Sequence, residues 1–149
     1  MRFIIATMAA TAMAASAGAG VYTGGDLGGW NVSYVQSGGS DRSHSTHIYG
    51  VYSNAQLKDN IAVDCYSLTV SDGKIFSGHD PTTLTCSPPS FTYQYNGTDS
   101  TLTLTQIVEL SDTTVTVEGT SKPFTTKLDL NGKGAIAHDI IFQATTGVQ

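Results

Sequence analysis

Glu109 and Glu118 are the only glutamates among the chain's twelve acidic residues, and a carboxylate pair is what glycoside hydrolysis uses. Their positions argue against that chemistry. Pairing Val108 with Val115 across a turn at Ser111-Asp112 sets Glu118 opposite Thr105, four residues along the strand from Glu109. At about 3.3 Å per residue that is roughly 13 Å, beyond the roughly 5 to 9.5 Å that retaining and inverting pairs need. His44 and His47 have a ligand-like spacing, but they lie in a loop running into a strand, where positions three apart point to opposite faces. His138 shares a period-two face with Ile136, Ile140 and Phe142, which makes it a core or rim residue. No Gly-x-Ser-x-Gly elbow presents a serine nucleophile. These residues assemble no catalytic group, no metal site and no cofactor motif, and the expectation is a non-catalytic protein.

The two cysteines are different. Ile61, Val63 and Cys65 fall on one face of a short alternating run, and Leu84 and Cys86 on one face of another. Such alternation marks half-buried strands. Both thiols then point to the apolar side, as a disulfide between neighbouring strands or between facing sheets requires, and as two buried free thiols would also do. The chain's start favours the disulfide. Met1-Arg2 precedes an apolar run from Phe3 to Ala15, and Ala15-Ser16-Ala17 and Ala17-Gly18-Ala19 are small-x-small cleavage sites. Residues 1–19 read as a secretory signal peptide, too short for a good membrane span, and an extracellular compartment lets a Cys65–Cys86 bridge persist. Residues 20–149 remain as a single domain.

Acidic residues outnumber basic ones twelve to seven, for a net charge of −5, and loss of Arg2 with the leader makes it one unit more negative. Nucleic acid and anionic membrane surfaces are poor partners for such a chain, because both need a basic patch. Ten of the twelve acids are aspartate, a turn former, and Thr, Ser and Gly are abundant where helix formers are few.

Alternation recurs along the chain. Trp30, Val32 and Tyr34 share a face, as do Phe91, Tyr93 and Tyr95, then Leu102, Leu104, Val108 and Leu110, then Val115 and Val117. In Thr46 to Tyr52 the faces are His47, Tyr49 and Val51 against Ile48 and Tyr52. Turns are read at Asp59-Asn60, Ser71-Asp72-Gly73, Ser111-Asp112 and Asn131-Gly132, with Asn96-Gly97 read as a hairpin turn whose central residues both take positive φ. Leu128 and Leu130 form a short strand and Ala135 to Ala144 the last one. About ten short strands predict an all-β fold, a small antiparallel β-barrel or barrel-like sandwich. Trp30, Tyr34, Tyr49, Phe91, Tyr93 and Tyr95 either fill its core or line a ligand-binding mouth. Asn31-Val32-Ser33 and Asn96-Gly97-Thr98 are N-glycosylation sequons.

Several of these stretches together carry a resemblance. Trp30-x-Val32-Ser33, Asp64-Cys65, Cys86 followed by Ser90-Phe91-x-Tyr93, Leu102-Thr103-Leu104-Thr105-Gln106-x-Val108 and Ser111-Asp112 before a Thr/Val strand resemble the Alternaria alternata allergen 1 family. The resemblance implies a small secreted fungal β-barrel protein. It also implies an elicitor or effector that induces hypersensitive or defence responses by binding plant extracellular proteins, thaumatin-like pathogenesis-related proteins among them. A flavonoid-like small-molecule carrier is the second implied activity. The Cys65–Cys86 pair resembles that family's first internal disulfide. The cysteine that links its dimer has no counterpart in Val21 to Leu27, so no covalent dimer is expected.

Overall fold

The computed structural model describes residues 20–38, 43–70, 82–128 and 134–149. The leader, the turns read at 71–73 and 131–132, Leu130, Asp41 and Arg42 lie outside the described residues. The strands are β1 (Gly29–Gly38), β2 (Ser43–Ser53), β3 (Ile61–Val70), β4 (Thr82–Ser87), β5 (Thr92–Asn96), β6 (Thr101–Leu110), β7 (Thr113–Thr120), β8 (Lys127–Leu128), β9 (Gly134–Gln143) and β10 (Thr146–Val148). The described residues form no helix.

The strands form two antiparallel sheets, one of six in the order β4-β3-β2-β1-β9-β8 and one of four in the order β10-β7-β6-β5. No closed barrel forms among the described residues. The chain changes sheet three times, at Pro88 to Phe91, at Ser121 to Thr126 and at Ala144-Thr145, each time leaving one ladder for another. The all-β expectation holds, and the closed barrel gives way to two sheets packed face to face.

Period-two alternation explains which faces meet. Trp30, Val32 and Tyr34 of β1, Val63 and Cys65 of β3, Leu102, Leu104, Val108 and Leu110 of β6, and Val115 and Val117 of β7 are all buried. On β2 it is Thr46, Ile48 and Tyr52 that turn inward, leaving His47 and Tyr49 on the outer face. The bare Gly119 lets β7 approach β9. A Cβ there would sit 2.5 Å from the carbonyl oxygen of Gln143 and 3.1 Å from the Trp30 ring.

Three local features decide finer points. Cys65 and Cys86 are direct register partners on β3 and β4, with Cα atoms 4.1 Å apart, and they form a disulfide. The bridge therefore joins neighbours within one sheet rather than facing sheets. At Ser111-Asp112 both residues take positive φ between paired Leu110 and Thr113, a two-residue hairpin of the kind whose twist matches the strands. At Asn96-Gly97 the reading needs correction. Asn96 pairs with Thr101, so the turn spans 97–100 with Ser100 at positive φ. The Asn96 Oδ1 accepts the N–H groups of Thr98 (3.0 Å) and Asp99 (3.2 Å). The side chain thus stands in for backbone in the turn and leaves Asn96 as the last strand residue.

Candidate functional site

At one end the inner face of the larger sheet runs out from under the smaller one. The row through Cys86, Cys65, Ile48, Tyr34 and Ala137 still belongs to the core. The next inner-face row crosses all six strands in register as Leu84, Ser67, Thr46, Gln36, Ala135 and Leu128. Its two ends are exposed leucines, Leu84 at 53% and Leu128 at 80%. Its middle carries an amide and two hydroxyls.

Three rings form the floor where this row meets the core. Tyr34 is buried and stacks on Tyr95 with ring centres 5.0 Å apart. Phe124 packs against both, at 5.8 Å and 6.0 Å. Tyr34 and Tyr95 arrive by strand parity, whereas Phe124 is delivered by a pinned connection. Its N–H donates to the Ser100 carbonyl (3.0 Å), the Ser121 N–H donates to the Leu102 carbonyl (2.9 Å), and the Ser121 hydroxyl accepts the Leu102 N–H (3.0 Å).

On one side of the rings lies a cleft of about 350 Å³ bordered by Gln36, Thr46, Ser67, Leu84, Tyr93 and Tyr95. On the other lies a cleft of about 750 Å³ bordered by Phe124, Leu128, Ile136, Ala137 and Ile140, with Lys127, His138 and Asp139 at its rim. Such volumes are those of small-molecule sites, in which apolar walls carry a few polar groups that fix orientation. Here the polar groups are tied to one another. The Tyr93 and Ser67 hydroxyls lie 2.9 Å apart, and Tyr34 shares a side-chain hydrogen bond with Thr46.

Burial, with the nearby Tyr95 and Tyr93 phenols adding to it, pushes the Tyr34 phenol up to about 12, against a smaller downward pull from Thr46. Burial also raises Tyr52. The fold therefore holds Tyr34 neutral where an unfolded tyrosine would ionise. The stability this contributes is fully present below pH 10 and is lost as pH rises through about 12. Two pKa units correspond to about 2 to 3 kcal/mol. Phenolate absorbance of the folded protein should show a late ionisation step near pH 12 that disappears in Tyr34→Phe. A folded protein whose absorbance change above pH 10 is the same with and without Tyr34→Phe would refute the burial of Tyr34.

The residues singled out from sequence are distributed as follows. Tyr34, Tyr93 and Tyr95 border the smaller cleft, Trp30 and Phe91 are enclosed in the core, and Tyr49 sits on the outer face. His44 and His47 fall on opposite faces, and His47 Nε2 lies 2.8 Å from Asp64 Oδ2. No group of three or more metal-ligating side chains occurs among the described residues. Val108 does pair with Val115 and Thr105 with Glu118. The glutamates engage threonines on the outer face, Thr114 to Glu109 at 2.5 Å and Thr105 to Glu118 at 3.2 Å.

His138 is not a core or rim residue of the inner face, because of a β-bulge. Val32 pairs with Ile140 but Tyr34 with Ala137, so His138 and Asp139 together oppose Ser33, with Asp139 at positive φ. The extra residue reverses the parity. Ala137 and Ile140 point inward, while His138 is exposed with Nδ1 3.0 Å from the Ser33 hydroxyl.

Gln36, Thr46, Ser67 and Phe124 are not among the candidate site residues read from the sequence, and Leu84 is read there only as sharing a face with Cys86. Their signal was polar residues at inward parity, since Gln36 follows Tyr34 by two, Ser67 follows Cys65 by two, and Thr46 precedes Ile48 by two. No protein-family model, curated protein or solved structure matches this chain. No helix among the described residues is long and apolar enough to cross a membrane.

Proposed function

We propose that this is a secreted, non-catalytic binding protein whose open inner row takes a small planar ligand bearing hydroxyl groups, of flavonoid-like type. The observation that carries the reading is the convergence of a ring floor with a polar row along one edge. A flat aromatic molecule would lie against Tyr95 and Phe124, with Leu84 or Leu128 covering its ends. Its hydroxyls would exchange bonds with Gln36, Ser67 and Tyr93. Aromatic pairs contribute about 0.5 to 1.5 kcal/mol beyond the area they bury.

Titrating a hydroxylated flavone against the protein should give saturable quenching of tyrosine emission. Tyr95→Ala should weaken it about tenfold or more, which corresponds to about 1.4 kcal/mol. Glu118→Gln, on the outer face of the other sheet, should leave it unchanged. No saturation, or equal weakening in both variants, would remove this function from the cleft.

A second reading, the elicitor that binds plant extracellular proteins, is favoured by the outer face of β2 and β3. Tyr49 and Tyr66 are exposed there at 37% and 44%, and the His47 ring lies 4.8 Å and 6.0 Å from them, with Asp64 alongside. Exposed tyrosines flanking a charge resemble the anchors of protein interfaces. Capture from plant apoplastic fluid tests it. Retention of a host protein by the parent but not by Tyr66→Ala supports this surface, and retention by both argues against it.

A further inference from the structure

We infer that Asn31 carries an N-linked glycan whose first sugar is seated on the protein, over Ile141 and the adjoining cleft at Gly29. Asn31 is exposed on the outer face of β1. Its register partners are Ile141 on β9 and Val51 on β2. Ile141 is 66% exposed, on a sheet face where none of the described residues covers it. Two residues back from Asn31, Gly29 is paired with both Ser53 and Gln143 and presents no side chain. The result is a cleft of about 460 Å³ bordered by Asn31, Ser53, Asn60, Ile141 and Gln143. A Cβ on Gly29 would come 2.5 Å from the Phe142 carbonyl oxygen and 3.0 Å from the Gln143 amide nitrogen.

This surroundings suits an N-acetylhexosamine. The apolar face and acetyl methyl of the sugar match Ile141 and Val51, and its hydroxyls match the amides and hydroxyl of Asn60, Gln143 and Ser53. The second sequon lacks such a seat. Asn96 ends β5 beside its turn, with its own amide committed to Thr98 and Asp99. In the attachment step Asn31 Nδ2 forms a bond to the anomeric carbon of a lipid-pyrophosphate-linked oligosaccharide. The bond from that carbon to the pyrophosphate breaks, the lipid pyrophosphate leaves, and the nitrogen gives up one proton.

The inference rests on export, so the full chain is expressed in a secreting eukaryotic cell with its own leader and, in parallel, with a foreign one. Glycopeptide mass spectrometry of the secreted protein should find Asn31 modified in most molecules. Ile141→Thr should lower the melting temperature of glycosylated protein by about 3 °C or more and leave that of Asn31→Gln protein within error, a coupling that independent sites do not show. Unmodified Asn31 in protein exported by the foreign leader overturns the inference. So does an equal effect of Ile141→Thr in both backgrounds. Modified, coupled protein that leaves the cell only with the foreign leader supports the seat of the sugar and overturns the export reading instead.

Discussion

Replacing Trp30 by alanine is expected to cost about 3 to 5 kcal/mol, a large fraction of the stability of a domain this size. Trp30 is 1% exposed at the centre of the larger sheet, with its ring 5.4 Å from Tyr52 and 5.5 Å from Phe142. It also reaches across the core, where its Nε1–H donates to Gln106 Oε1 at 3.2 Å. Gln106 is wholly buried on β6, and its Nε2 has no partner. Among the described residues the indole is the one group that satisfies this amide, and a graded series separates the two contributions. Trp30→Phe keeps most of the packing but strands both ends of the Gln106 amide, which adds about 1 to 3 kcal/mol to the loss of ring volume. Adding Gln106→Leu removes the stranded group. The double variant should accordingly be more stable than Trp30→Phe alone, because replacing both members of a buried polar pair with apolar groups is nearly neutral. Urea melts of the four proteins decide the matter. A double variant that loses the sum of its two single losses would mean that the Trp30–Gln106 contact contributes nothing specific.

Breaking the disulfide is expected to cost roughly 3 kcal/mol. Cys65 and Cys86 are separated by 21 residues, and closing a loop of that length removes about this much chain entropy from the unfolded state. The bridge also has a local effect. β4 is an outer strand of the larger sheet, so among the described strands it is held by one ladder, to β3, and by the bridge. Ser67 and Leu84, each two residues from a bridged cysteine, are register partners and border the smaller cleft. In the Cys65→Ala/Cys86→Ala protein the urea midpoint should fall, and flavone binding should weaken even where the protein remains folded. Tyr34→Phe differs, because it affects the ring floor without freeing β4. A midpoint unchanged by the double substitution, or by reductant in the parent, would show that β4 is held by its ladder alone.

Much of the fold is legible from residue order because strand patterning is local. The faces of β1, β6 and β7, the Ser111-Asp112 turn and the Val108–Val115 register all follow from period-two alternation and short turns. Side chains on a short hairpin have only one partner strand to choose. The inward direction of both cysteines follows in the same way.

What residue order leaves open is decided by contacts between distant segments. The choice between a closed barrel and two open sheets depends on whether outer strands meet, and no local pattern encodes that. The parity of β9 depends on a bulge opposite Ser33, and one extra residue there moves His138 from the inner face to the outer. The Asn96 turn depends on a side chain taking over backbone hydrogen bonds. The candidate site has the same origin. Leu84, Ser67, Thr46, Gln36, Ala135 and Leu128 come from six different strands, and they form a row only because five ladders hold one register. Strand parity turns those positions inward, but the extent of the second sheet decides that Thr46 is buried while Gln36, Leu84 and Leu128 stay exposed. A single strand records which way a side chain points, and the packing of the two sheets determines what, if anything, lies above it.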